Sequence, residues 1–180
     1  YNFIVATKGG MVIGGKRGEN DNSEPALRKA LEGSMKRLKV DHVELYYIHR
    51  RDWSIEIEEV AQTLAKFKEE GKIGGFGFSE ISPSSLRRAH AVHPVTAVQN
   101  EYSLWTRYPD LGMLQACREL GVIFVPFSPL GRGMLAKTFP NPNEFLETDF
   151  RKNQPRFMEP NFSANCRIIS GFREFSKSFK

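Results

Sequence analysis

Lys8, His49, Ser79, Gln99 and Ser128 share one setting in the chain. Each closes a short apolar run and is followed by polar sequence: Phe3–Thr7 before Lys8, Val43–Ile48 before His49, Gly74–Phe78 before Ser79, Val95–Val98 before Gln99, and Val122–Phe127 before Ser128. A lysine at the end of a parallel strand points into a site where burial or a carboxylate can tune its charge. A histidine in the same position adds a group that titrates near neutrality. Either residue alone reads as structural or solvated. Two on strand ends of one sheet read differently, because the sheet brings those ends together.

The elements that must position these residues follow from the same rhythm. Near-continuous apolar strands alternating with helices predict a parallel sheet of the α/β class, and α/β folds keep their chemistry at the C-terminal ends of such strands. Ser23 and Pro25 open a first helix with Leu27, Ala30, Leu31, Met35 and Leu38 on one face. A second starts near Ser54, buries Ile57, Val60, Leu64 and Phe67, and stops at Lys66, Lys68 and Gly71. Ser82 caps a short third helix with Pro83 first and Leu86 and Ala89 inward. A fourth runs from about Asp110 to Leu120, with Met113, Leu114, Cys117 and Leu120 on one side. Beyond Gly131 the pattern dissolves into Pro- and Asn-rich sequence, expected as a long irregular loop over 131–164 and a basic helical segment over 165–180.

Bulk composition narrows the class. With 180 residues, 40% hydrophobic and 26% charged, the chain is expected as a single domain, 1–180, with a sizeable core. No apolar run approaches the roughly 18 residues of a membrane span, so no membrane partner is expected. Cys117 and Cys166 form no CxxC motif and fit a reducing compartment, hence the cytoplasm. Cys117, on an apolar helix face, reads as a small buried hydrophobe. Residues 1–150 hold 19 Lys/Arg and 19 Asp/Glu, so the net charge of +5 sits in the last thirty residues. That basic stretch, interleaved with Phe157, Phe162, Phe172, Phe175 and Phe179, reads as packing surface and not as a nucleic-acid platform.

Two motifs point elsewhere and fail. Gly10 to Lys16 has the GxxxxGK spacing of a phosphate loop, but Arg17 stands where Ser or Thr must bind magnesium, and the next helix opens some seven residues later. His90 and His93 at i, i+3 lack acidic or thiolate company in sequence, so no metal site is expected and both read as surface residues. Trp53 and Trp105 near strand ends fit an apolar substrate or plain rim packing.

Five blocks in order carry a resemblance: Thr7-Lys8-Gly9-Gly10; Glu44-Leu-Tyr-Tyr-Ile-His49-Arg50; Gly71-Lys72-Ile-Gly-Gly-Phe-Gly-Phe-Ser79-Glu80; Ala97-Val-Gln99-Asn-Glu-Tyr-Ser103; and Val125-Pro-Phe-Ser128-Pro-Leu130-Gly131-Arg132-Gly133. In order and spacing the chain resembles the aldo-keto reductases, closely over residues 1 to about 137. The segments from Arg88 and from Glu101 resemble the pyridoxal-reductase-like and auxin-induced-type branch. The resemblance implies a partial (β/α)8 TIM barrel whose strands are the third to seventh of the family's eight, since a complete barrel needs about 250 residues. It implies an NADPH/NADP+-dependent oxidoreductase that reduces a small-molecule aldehyde or ketone. Lys8 and His49 match the catalytic lysine and histidine. Ser79 matches the residue on the nicotinamide carboxamide, Gln99 the glutamine beside it, and Phe127 the ring stacked on it. Ser128, Leu130 and Arg132 match the loop that holds the pyrophosphate. Glu80 replaces a common Asn, and Phe127 replaces a common Tyr. In the implied mechanism a tyrosine donates the proton, tuned by the lysine and an aspartate; both lie upstream of the family's third strand, where this chain starts, and neither is assigned here. A five-stranded slice is expected to self-associate through its unclosed edges and to be a poor enzyme by itself. The alternative is a truncated, non-catalytic relative that serves as an interaction or regulatory module.

Overall fold

The computed structural model describes residues 3–16 and 18–179. Arg17, on which the phosphate-loop reading turned, lies outside the described residues, as do Tyr1, Asn2 and Lys180. The chain divides into two compact units, residues 1–102 with 107–127, and residues 103–106 with 128–180.

The first unit is a five-stranded parallel sheet with helices between the strands. Its elements are β1 (Ala6–Gly9), α1 (Glu24–Leu38), β2 (Val43–Ile48), α2 (Ile57–Glu69), β3 (Ile73–Ser79), α3 (Pro83–Val92), β4 (Ala97–Glu101), α4 (Met113–Leu120) and β5 (Ile123–Phe127). The strands lie in sequence order and every pairing is parallel. This is the parallel α/β sheet that the strand–helix rhythm predicts, and it fits the partial barrel that the resemblance implies.

The two-residue strand period splits the sheet into two faces. Tyr46, Ile48, Phe76, Phe78 and Val98 join one core cluster with Leu27, Leu31, Leu64, Phe67, Leu86 and Ala116 of the helices. Fully burying side chains such as Leu27 and Leu31 stabilises by about 1.5–3 kcal/mol each. The Tyr46 hydroxyl donates to the Leu27 carbonyl at 3.0 Å, which satisfies it inside that layer.

The opposite face is concave. Register places Lys8 beside Tyr47, Tyr47 beside Gly77, and Gly77 beside Ala97. Strands about 4.8 Å apart would set β1 about 14 Å from β4 in a flat sheet. The Lys8 ammonium nevertheless donates to Gln99 Oε1. The sheet therefore curls away from its helices, toward this face.

Several boundaries differ from the sequence expectation, each for a local reason. β1 begins at Ala6, not Phe3, because it pairs only with β2; Val5 N donates to the Glu44 carboxylate at 3.2 Å instead of to a backbone partner. β4 spans Ala97–Glu101, not 95–98, so the polar Gln99, Asn100 and Glu101 are strand residues. α2 begins at Ile57, not Ser54, because the Asp52 carboxylate accepts from both the amide and the hydroxyl of Ser54 and holds it in a turn. Asp110 belongs to a separate turn of 3-10 helix, its carboxylate taken by Tyr102 and Arg107, and α4 starts only after left-handed Gly112. Ser82 caps α3 through its hydroxyl, as expected. Cys117 is buried beside the Met113 sulfur.

The second unit is built on Met134, Phe157 and Ile169, with Trp105, Leu135, Phe139, Phe145 and Phe162 packed against them. Residues 131–157 carry four single turns of 3-10 helix, and α5 spans Asn161–Lys177. The Arg173 guanidinium lies 3.6 Å from the Phe139 ring centroid and donates to the carbonyl of Ala136, while Arg151 forks onto Asp149 above the Phe145 ring. Phe157 and Phe162 are packing residues; Phe172, Phe175 and Phe179 are exposed. Trp105 is packing in this unit, whereas Trp53 is exposed beneath the Arg51 guanidinium in the first.

Candidate active site

Alternation along the strands places Lys8, Tyr47, Ser79, Gln99 and Phe127 on the concave face of the first unit. His49 follows β2 by one residue and extends its ladder, donating its backbone N–H to the Gly9 carbonyl at 2.9 Å. The period then carries His49 to the same face. Room for this layer comes from β3. A Cβ on Gly77 would lie 2.6 Å from the Tyr47 ring, so that ring can rest only over a glycine.

The electrostatics are dominated by cations. The Lys8 ammonium sits 5.8 Å from the Tyr47 ring centroid and donates to Gln99. Burial, then the nearby Arg50 charge, hold its pKa below the usual lysine range. Burial, Arg50 and Lys8, in that order, push the His49 imidazole below its ordinary value, so it is neutral at pH 7. His49 Nδ1 is buried with no hydrogen-bond partner among the described residues.

Arg50 was not singled out by the sequence, although it stands next to His49. Its Nη1 donates to the His49 carbonyl at 2.5 Å and to Ser79 Oγ at 3.1 Å. Asn22, just before the Ser23 that opens the first helix, was also missed. It is 1% exposed, and its amide donates to the Arg50 carbonyl at 3.3 Å and accepts from Asp52 N at 2.8 Å. The β1–α1 loop thus pins the loop after β2. Asn22→Ala removes both bonds and leaves the Asp52 N–H and the Arg50 carbonyl without these partners. It is expected to lower the unfolding free energy by about 2 kcal/mol, read from urea denaturation; a change under about 0.5 kcal/mol, the low end for a single hydrogen bond, contradicts the anchoring role.

Glu80 adopts φ 54°, a left-handed conformation that carries strain for a non-glycine residue. It is held there by β4: its N–H donates to the Gln99 carbonyl and to Asn100 Oδ1, and its own carboxylate accepts from Glu101 N at 2.6 Å. Its carboxylate is therefore engaged with backbone.

Ser128, Leu130 and Arg132 lie in the second unit. Ser128 (φ 51°), Gly131 (56°), Arg132 (58°) and Gly133 (102°) are all left-handed. The turn is closed by Gly131 N to the Ser128 carbonyl at 2.9 Å and by Gly133 N to the Leu130 carbonyl at 3.1 Å. The Arg132 guanidinium lies 5.1 Å from the Phe150 ring centroid, and its carbonyl accepts from Arg151.

His90 and His93 have local partners. His90 Nδ1 accepts from Val95 N, and the His93 ring packs 5.4 Å from Phe76. They are half-buried, not surface, residues. Among the described residues no helix is long and apolar enough to cross a membrane.

The chain is 42% identical over 173 residues to the fission yeast (Schizosaccharomyces pombe) aldo-keto reductase yakc [NADP(+)], covering 93% of this chain and 51% of that protein. It superposes with a TM-score of 0.83 on a glycerol dehydrogenase from Gluconobacter oxydans at 28% identity, covering 96% of this chain and 54% of the other. An aldo-keto reductase from Bacillus halodurans in its holo form gives a TM-score of 0.69 at 28% identity, covering 81% and 50%. The chain thus spans about half the length of the relatives it matches. The aldo/keto reductase family pattern matches residues 1–179, and with that breadth and these relatives the chain belongs to the aldo/keto reductase family.

Proposed function

We propose that residues 1–180 form the five-stranded part of an NADPH-dependent reductase of aldehydes or ketones. The observation that carries this reading is the Lys8–Gln99 contact across the concave face, with His49 and Ser79 at the same strand ends. The name of the fission yeast relative supports NADP as the cofactor.

The donor set fits a nicotinamide. A carboxamide needs both a donor and an acceptor opposite it, and the Ser79 hydroxyl and Gln99 amide offer both. Phe127, on the same face, offers a flat ring for stacking. We assign the pyrophosphate to Ser128, Leu130 and Arg132 of the second unit, on the family resemblance and on the left-handed turn they occupy. NADPH supplies the hydride to the carbonyl carbon. Lys8 takes one lone pair of Gln99 Oε1, which leaves the amide nitrogen to donate and the second lone pair to accept. Lys8 presents a cation where negative charge grows on the carbonyl oxygen. His49, neutral, orients that oxygen by a hydrogen bond without competing as an acid.

The proton donor is not among the tyrosines of this sheet. The Tyr46 hydroxyl is bound in the helix layer, and burial raises the Tyr47 pKa, away from what a donor near neutrality needs. We keep the pyridoxal-reductase-like branch as the placement within the family, on the segment Glu101–Arg107. The unpaired edges β1 and β5, with Ile4 and Ile123 exposed, are where further strands or a second copy would add. The free thiols of Cys117 and Cys166 suit a reducing compartment, and we place the protein in the cytoplasm.

The test uses the protein as it occurs, with whatever sequence flanks these residues. NADPH absorbance is followed with a panel of aliphatic and aromatic aldehydes and ketones. Saturable NADPH loss with one or more of them is expected. No consumption, together with no quenching or enhancement of NADPH fluorescence on titration, contradicts the reading.

A further inference from the structure

Ser79 is 3% exposed, and its hydroxyl accepts a hydrogen bond from Arg50 Nη1 at 3.1 Å. We propose that Arg50 is a positioning residue that aims the Ser79 hydroxyl at the cofactor carboxamide as a hydrogen-bond donor. The inference rests on the reading above, in which Ser79 meets that group.

A serine hydroxyl has one proton and two lone pairs, and its rotor is otherwise free. When a lone pair takes the guanidinium N–H, the proton must turn away from Arg50. Ser79 shares its face with Gln99, its register partner, so the proton is left to the concave side. No acceptor takes it among the described residues. A bond accepted from a cation is charge-assisted and polarises the O–H, which strengthens the next bond that hydroxyl donates. A serine left to rotate would have to give up that freedom on binding; here it is given up in advance.

Arg50 is built to hold this pose. Its own backbone is pinned by buried Asn22, which takes the Arg50 carbonyl and, through the other end of the amide, Asp52 N. The same Nη1 also meets the His49 carbonyl, so the guanidinium is tied to the end of β2 as well as to the end of β3. The Arg50 charge also lowers the pKa values of Lys8 and His49, behind burial in each case.

The test is a double-mutant cycle on NADPH affinity, by fluorescence titration of the protein as it occurs, with wild type, Ser79→Ala, Arg50→Met and the double variant. Ser79→Ala and Arg50→Met are each expected to weaken NADPH binding about tenfold, the loss of one good hydrogen bond. The double variant is expected to bind no more weakly than Ser79→Ala alone, because Arg50 acts through that hydroxyl. Arg50→Lys, which keeps a cationic donor, is expected to recover part of the loss. It also serves if Arg50→Met fails to fold: its effect should be present with the native Ser79 and absent in the Ser79→Ala background. Losses that multiply in the double variant overturn the proposal, as does Arg50→Met binding NADPH like wild type while Ser79→Ala binds weakly; both results leave the cofactor reading standing. Wild-type protein that does not bind NADPH overturns both.

Discussion

Replacing Lys8 by methionine is expected to lower kcat/KM for carbonyl reduction by about 10³-fold, the size of effect seen when a preorganised charge is removed from a reacting centre. Methionine keeps the length of the side chain and loses the ammonium. The argument rests on placement. Lys8 is on β1 and its contact, Gln99, is on β4, so the ammonium reaches over the concave face and past Tyr47. Burial and Arg50 both disfavour the charged form, which keeps the ammonium poorly compensated and responsive to negative charge arriving beside it. Although packing around its ammonium tunes its charge, the Lys8 side chain stays largely open to solvent and lines no apolar core, so circular dichroism and the unfolding midpoint should hold. NADPH affinity should change only a few-fold, because the charge matters most as the oxygen becomes negative. Lys8→Arg is expected to restore little, since a planar fork cannot replace a compact ammonium at that spot. A variant that keeps its rate within tenfold of wild type contradicts the catalytic role.

Gly77→Ala is expected to be strongly destabilising in the first unit. Its Cβ would fall 2.4 Å from the Ala97 carbonyl oxygen and 2.6 Å from a Tyr47 ring carbon. The first is backbone of the neighbouring strand and cannot step aside without breaking the β3–β4 ladder. Overpacking of this kind costs about 3 kcal/mol, or roughly 6–12 °C in Tm for a domain of this size. Gly171→Ala is the control. It lies in α5 with open space around it, and the exchange removes backbone freedom from the unfolded chain, so a gain of about 0.5–1 kcal/mol is expected. Thermal unfolding of the two variants compares them directly. A Gly77→Ala protein as stable as wild type would mean that the close packing of Tyr47 over β3 is not what shapes the concave face.

The strand–helix rhythm was legible because apolar runs and helix stripes report burial, and burial is what the sheet imposes. Ile57, Val60, Leu64 and Phe67 were expected inside and are buried. The rhythm failed where function or an edge overrides burial. β4 extends through Gln99, Asn100 and Glu101, and an apolar-run criterion stops before them because those strand positions are polar. Phe3, Ile4 and Val5 read as strand, but they are exposed and the strand ladder starts only at Ala6.

For the site, residue types and the family resemblance marked Lys8, His49, Ser79 and Gln99 one at a time. Which of them touch was not legible, because the Lys8–Gln99 contact depends on sheet curvature, which no local pattern encodes. Arg50 and Asn22 went unmarked for a different reason. Arg50 sits next to a more conspicuous histidine, and a polar residue in a Gly-rich loop such as Asn22 gives no sign that it will be buried. The roles of both arise from contacts between loops far apart in sequence.

The measurement that bears most directly on the central claim is isotope transfer. NADPH carrying deuterium at both hydrogen positions of nicotinamide C4 is incubated with the protein as it occurs and with a carbonyl compound that it consumes, and the alcohol is analysed by mass spectrometry and NMR. The account predicts deuterium on the carbinol carbon, and loss of that transfer in Lys8→Met and His49→Ala while NADPH binding persists. Alcohol formed without deuterium at that carbon, or transfer that survives both substitutions unchanged, would contradict it.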